Sequence, residues 1–180
     1  MLRLPQWLIV TGTILVGSTA LAANGNLEPT LETHTGPWYQ PGAPFVKSLW
    51  EPGQPGERLQ LRGRVLNTLG VSLADALVEL WHTDAYGDYP PLRASIKTKQ
   101  NGSFGISTVL PGHNQGYRAR HIHFVISHPT HRQLVTRIFF KGDVNMAEAP
   151  YPELAVFVEE GYIDEQPVLF ADVEFVLLAQ

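Results

Sequence analysis

The stretch Tyr117-Arg118-Ala119-Arg120-His121-Ile122-His123-Phe124-Val125-Ile126 places two histidines one residue apart at the head of a β-branched, aromatic run. Such a run predicts a strand. Successive side chains in a strand alternate faces, so His121 and His123 share one face while Ile122 takes the other. Their Cα atoms then lie roughly 6.6 Å apart, which lets both imidazoles reach one metal ion. The plainer reading is a pair of exposed histidines beside two arginines. The chain has no cysteine, which excludes thiolate metal sites, iron–sulfur clusters and disulfides together. Any metal must be held through nitrogen and oxygen, so seven histidines and six tyrosines form the inventory. Tyr89 and Tyr117 both sit in irregular segments able to approach the histidine pair. A free phenol has a pKa of about 10, so tyrosine binds well only to a cation acidic enough to displace its proton. Two imidazoles with one or two phenolates would favour Fe(III) over zinc or magnesium. For each tyrosine the competing reading is a buried, hydrogen-bonded side chain.

These residues need a scaffold, and the composition indicates which kind. A chain of 180 residues with 44% hydrophobic content fits one globular domain with a real core. Its formal net charge of -4 provides no basic footprint, so nucleic acid is not expected as a partner. Sixteen glycines and fourteen prolines suit many short strands joined by turns. Residues 1–22 read as a signal peptide: Arg3, an apolar core over 7–16, and the small-residue finish Ser18-Thr19-Ala20-Leu21-Ala22. That core is shorter than the roughly 20 residues a membrane-spanning helix needs. The expected product is periplasmic or secreted, with no membrane attachment after cleavage; an uncleaved anchor is the rival reading.

Residues 24–57 carry Gly36-Pro37-Trp38-Tyr39 and Pro41-Gly42-Ala43-Pro44, a pattern that predicts an irregular arm over the domain surface, pinned by Trp38, Tyr39 and Phe45. Residues 58–180 predict a single-domain, all-β sandwich. Strands are expected from Arg58, over 76–83, 95–99, 103–110, 120–127, 134–140 and 168–178. The strands 95–99 and 103–110 are expected to pair as a hairpin around Asn101-Gly102. Residues 84–91 form a long loop ending near Tyr89, and a short helix is expected around 152–159.

Several stretches resemble the intradiol ring-cleavage dioxygenases, the catechol and protocatechuate dioxygenase family. They are Thr35-Gly36-Pro37-Trp38-Tyr39, Leu61-x-Gly63-x-Val65, Ala76-x-Val78-Glu79-Leu80-Trp81 and Asp84-x-x-Gly87-x-Tyr89. Further along come Gly102-x-Phe104, Thr108-x-x-Pro111-Gly112, Arg118-x-x-His121-Ile122-His123-Phe124 and Thr136-x-x-Phe139-Phe140-x-Gly142-Asp143. Together they span most of the chain after residue 22, in the family's order. The resemblance implies a β-sandwich binding one non-haem Fe(III) through two tyrosines and two histidines. It carries over to Tyr89 (not Tyr86), His121 and His123 as metal ligands, and to Arg118 as the group beside the substrate. It further implies a catechol-type substrate cleaved with O2; the oligomeric state stays open, a homo-oligomer included.

Two positions depart from the family pattern. Asn114, flanked by His113, stands where the second tyrosine comes. Tyr117 is taken as the fourth ligand in a reshaped loop, with His113 as the alternative. With strand geometry run back from His121, Tyr117 would share its face roughly 13 Å away, and Gly116 permits a bend. Arg137 stands where many members have glutamine. A cation there either assists catalysis by favouring anionic substrates or pairs with a surface carboxylate.

His82 reads as a satisfied strand residue, His128 and His131 as solvated turn residues, and Asp84 as a brace for the Tyr89 loop. There is no glycine-rich phosphate loop, no Gly-x-Ser-x-Gly and no His-Glu-x-x-His. An alternative to the enzyme is an exported, non-catalytic β-sandwich module binding an aromatic or carbohydrate ligand. A third reading is a zinc or copper site built from His113, His121 and His123.

Overall fold

The computed structural model describes residues 25–180; the expected signal peptide lies outside the described residues. Nine strands form two sheets. They are β1 (Arg58–Asn67), β2 (Leu77–His82), β3 (Leu92–Lys97), β4 (Ser103–Val109), β5 (His121–His128), β6 (His131–Phe140), β7 (Ala155–Val156), β8 (Val158–Ile163) and β9 (Gln166–Leu177). One sheet runs β4-β1-β9-β8 and the other β3-β2-β5-β6-β7. Most neighbours are antiparallel, while β1/β9 and β6/β7 are parallel.

The alternation read from the sequence builds the core between the sheets. Leu59, Leu61 and Val65 of β1 and Ala171, Phe175 and Leu177 of β9 meet Val78 and Leu80 of β2 and Ile122, Phe124 and Ile126 of β5. Burial of each such large side chain contributes about 1.5–3 kcal/mol. Period two then forces the intervening residues of the second sheet outward: Glu79, Trp81, Ser95, His121, His123, Arg137 and Phe139.

That outer face is covered as well. The arm starts at the β6 edge, where the Thr33 N–H donates to Val135 O (2.7 Å) and Thr136 Oγ1 donates to Leu31 O (2.8 Å). It crosses β5 and β2, where Gly42 N–H donates to Glu79 Oε1 (3.1 Å) and Tyr39 OH to Glu79 Oε2 (3.2 Å). It ends on β3, where Ser95 Oγ donates to Ala43 O (2.7 Å) and the Ser95 N–H to Pro44 O (2.8 Å). The arm is therefore a third layer, laid over the face that carries the histidines.

Three expectations are corrected. Asn101-Gly102 does reverse the chain, with Gly102 N–H bonded to Lys99 O and Lys99 N–H to Ser103 O (both 2.8 Å). Its flanking strands do not pair with each other: β3 pairs with β2, and β4 with β1. Ala94 and Ile96 of β3 and Phe104 and Ile106 of β4 all face the common core, which is satisfied by placing the two strands in opposite sheets. Local turn chemistry fixes the reversal, not the partner. The helix expected over 152–159 is a single 3-10 turn, Pro152–Leu154, followed by β7 and β8; the β-branched and aromatic run after it favours extended chain. His131 is not solvated but 8% exposed, because it opens β6 and bridges to Ala179 near the chain end.

Candidate metal centre

His121 and His123 project from β5 onto the arm-covered face, with ring centroids 4.9 Å apart and planes at 77°. His121 Nδ1 lies 2.8 Å from Ala119 O. A carbonyl only accepts, so Nδ1 carries the proton and Nε2 keeps its lone pair for a ligand. The His123 ring lies flat against Trp81, 4.9 Å between centroids and 4° between planes. Trp81 in turn packs on Tyr39. His123 Nδ1 is enclosed and without a partner. Gly36 of the arm passes over this ring: a Cβ placed there would stand 3.5 Å from Cε1 and 3.8 Å from Nε2.

Burial pushes both imidazoles toward the neutral form. The pKa of His121 is lowered mainly by burial. That of His123 falls to about 2, first through burial and then through His121, Arg137, His34 and Arg118. Neutral imidazole is the metal-binding state.

Tyr89 lies under the same arm segment. Its ring stacks on Trp38 at 4.5 Å and 12°, two residues beyond the Gly36 that covers His123, so one arm segment tethers both. Burial raises the phenol pKa, while Arg118 and then Arg137 lower it. The loop holding Tyr89 is fixed as expected of Asp84, whose Oδ1 accepts the Tyr86 and Asp88 N–H groups (2.9 and 3.0 Å). Asn114 adds a second brace, donating from Nδ2 to Gly87 O at 3.0 Å. Gly87 has φ +89, and a Cβ on it would lie 2.4 Å from His113 O. Only glycine lets the two loops approach so closely.

The fourth expected ligand is not brought to this group. Tyr117 is 54% exposed and its phenol donates to Gln115 Oε1 at 2.8 Å. Two consecutive residues with positive φ, Gln115 (57°) and Gly116 (75°), set the course of this loop. His113 does not replace it. Its Nε2 lies 3.0 and 3.1 Å from the two Asp143 oxygens. Asp143, with a 1% exposed side chain, also accepts the Arg120 and Asn145 N–H groups. Among the described residues no cluster of three or more histidines, aspartates or glutamates could hold a metal. Among the described residues, His113, His121 and His123 are therefore not gathered into the zinc or copper site.

Arg118 is exposed beside the group and acts electrostatically on His34, Tyr89, His121 and His123. Arg137 turns inward. It sits across from His123 in the β5/β6 register and is 3% exposed. Its Nη2 donates to His34 O (2.9 Å) and His34 Nε2 (3.2 Å), and its Nε to Thr33 Oγ1 (3.4 Å). His82, fully buried, is satisfied by Thr83 O and Thr108 Oγ1.

Sequence reasoning missed His34, Trp38 and Trp81 as neighbours of the centre. The Thr35-to-Tyr39 motif was the available signal, but an irregular arm has no periodicity to show which face it covers.

Comparison with known proteins identifies the fold. A family model described as "Dioxygenase" matches residues 34–165, starting within the arm at His34. Catechol 1,2-dioxygenase 2 of Acinetobacter lwoffii is 36% identical over 143 residues, covering 63% of this chain and 52% of that protein. The protocatechuate 3,4-dioxygenase beta chain of Burkholderia cepacia is 31% identical over 128 residues, covering 59% and 54%. The dioxygenase domain of a dioxygenase carbohydrate-binding protein fusion from Streptomyces sp. SirexAA-E superposes with a TM-score of 0.75 at 28% identity. That match covers 85% of this chain and 100% of that domain. The β-sandwich is thus a dioxygenase fold. The chain belongs to the intradiol ring-cleavage dioxygenase family. It spans about half the length of the relatives it matches by sequence.

Proposed function

We propose that the protein is a non-haem Fe(III) dioxygenase that cleaves a catechol-type ring between its hydroxyl-bearing carbons, using O2. The observation that carries this reading is the joint placement of Tyr89, His121 and His123 under one arm segment. The donor set fits the ion: two neutral imidazoles, one with its free Nε2 fixed by a backbone bond, and a phenol that a hard, acidic cation can deprotonate. Tyr89, His121 and His123 would hold the iron; Tyr117, committed to Gln115, is left out of the set. When bound, ferric iron would supply a Lewis acid that lowers the hydroxyl pKa values of a catechol and draws electron density from its ring toward reaction with O2.

The chain's own residues do the rest. Arg118 and Arg137 place two cations around the position of a dianionic substrate and favour its ionised form. Trp81 and Trp38 fix the planes of one imidazole and of the phenol ring. The arm excludes water from the His123 side of the group, where Gly36 passes over the ring. Residues 1–22 support export of the protein to the periplasm or beyond. A non-catalytic binding module would have no need for two imidazoles held neutral side by side.

The test is O2 consumption by iron-loaded protein with catechol, protocatechuate, hydroxyquinol and gallate. Stoichiometric uptake with a ring-opened product is expected for at least one. Binding of these compounds without O2 uptake by any of them would leave only the binding module.

A further inference from the structure

Arg137 is a buried cation with no carboxylate partner among the described residues. It is 3% exposed, and it forms no ion pair among the described residues. All its hydrogen-bond partners are neutral: His34 O, His34 Nε2 and Thr33 Oγ1. The Tyr151 ring lies 5.8 Å from its guanidinium carbon, a loose cation–π contact. Nη1 makes no bond to any described residue and is not among the enclosed unpartnered atoms, so it keeps a free donor at an accessible surface.

Removing a charge from water is costly unless an opposite charge compensates. Burial disfavours the charged guanidinium most; among its neighbours Tyr151 and Tyr89 offset this only as phenolates, while Arg118 opposes it as a second cation. The fold nevertheless holds the guanidinium rigidly, with three bonds to the arm, on the strand position opposite His123. His34 Nε2 accepts from Arg137 and therefore keeps its proton on Nδ1, which leaves it neutral and unable to compensate. A fixed planar fork with a spare donor is the arrangement that receives a carboxylate.

We infer that Arg137 is a specificity-determining residue, and that the substrate is a catechol bearing a ring carboxylate, which Arg137 receives through Nη1. The inference rests on the ring-cleavage reading and adds the substrate class to it. Arg118, exposed at the mouth, attracts the same anion during approach.

The probes are 3,4-dihydroxybenzoate and catechol, titrated calorimetrically into the iron-loaded protein with O2 excluded. The quantity read is the ratio of the two dissociation constants. Wild type is expected to bind the dihydroxybenzoate at least tenfold more tightly. Arg137→Gln should cut that ratio at least fivefold, and Arg137→Lys, which keeps the charge, should retain most of it. Circular dichroism of each variant separates an effect on recognition from an unfolded chain; should Arg137→Gln not fold, the wild-type ratio and Arg137→Lys decide. A wild-type ratio near one, or an unchanged ratio in Arg137→Gln, overturns the inference. Cleavage of catechol with no preference for the carboxylate counts against Arg137 alone. Absence of ring cleavage for every catechol counts against the enzymatic reading itself.

Discussion

Trp38 of the N-terminal arm lies face to face with Tyr89, 4.5 Å between ring centroids and 12° between planes. Through this contact an irregular surface segment lies against the proposed ligand Tyr89, and the same arm bears Gly36 over His123. A stacked aromatic pair contributes about 0.5–1.5 kcal/mol beyond area burial. Trp38 is 47% exposed, so its main effect falls on the orientation of Tyr89 rather than on global stability. Trp38→Ala is expected to lower unfolding stability by about 1 kcal/mol in a urea titration, and to weaken iron retention against a chelator at least threefold. Unchanged iron retention would show that the stack does not orient the ligand.

Tyr117 and His113 were the two sequence-based answers to the missing tyrosine at Asn114. Since the Tyr117 phenol bonds to Gln115 and His113 to Asp143, Tyr117→Phe is expected to leave iron content and visible absorption at wild-type values. Loss of either in Tyr117→Phe would mean that the loop over residues 113–117 closes onto the metal once it is bound.

Asp143 is the anchor of that loop. Its carboxylate accepts the Arg120 and Asn145 N–H groups and faces His113. Asp143→Ala strips these donors of their acceptor at a nearly enclosed position, an expected loss of about 3 kcal/mol in chemical denaturation. The surface pair Arg62–Asp172, by contrast, is largely exposed, so Asp172→Ala should cost less than about 1 kcal/mol.

His82 gives the fold an acid limit. Complete burial depresses its pKa from 6.5 to about 4. Between those values the unfolded chain binds a proton that the folded chain does not. The His82 contribution to stability therefore falls as pH drops from 6.5 toward 4 and levels off below, where this group is protonated in both states. The depression corresponds to about 3 kcal/mol. His82→Gln is expected to flatten this part of a stability–pH curve recorded by urea unfolding; an unchanged slope would assign the acid sensitivity to other groups.

The sequence showed most of the sandwich, because alternation in β1, β2, β5 and β9 marks which residues enter the core. It showed His121 and His123 for the same reason: period two puts them together. It did not show β8, whose run Val-Glu-Glu-Gly-Tyr-Ile alternates weakly, nor the sheet assignment of β3 and β4, which depends on the whole core. The arm was legible as irregular but not as a cover, since hydrogen bonds such as Thr33 N–H to Val135 O have no sequence signature. Arg137 was visible as an unusual residue; only its burial and its bonds to Thr33 and His34 show that it lies under the arm and not at the surface.

The central claim is that Tyr89, His121 and His123 form a ferric site in which Tyr89 is the phenolate. The visible absorption and resonance Raman spectra of iron-loaded wild type and Tyr89→Phe test it most directly. The account predicts a strong tyrosinate-to-iron band with enhanced phenolate vibrations in wild type, lost in Tyr89→Phe while circular dichroism stays unchanged. A colourless wild-type protein, or a band that persists in Tyr89→Phe, would contradict it.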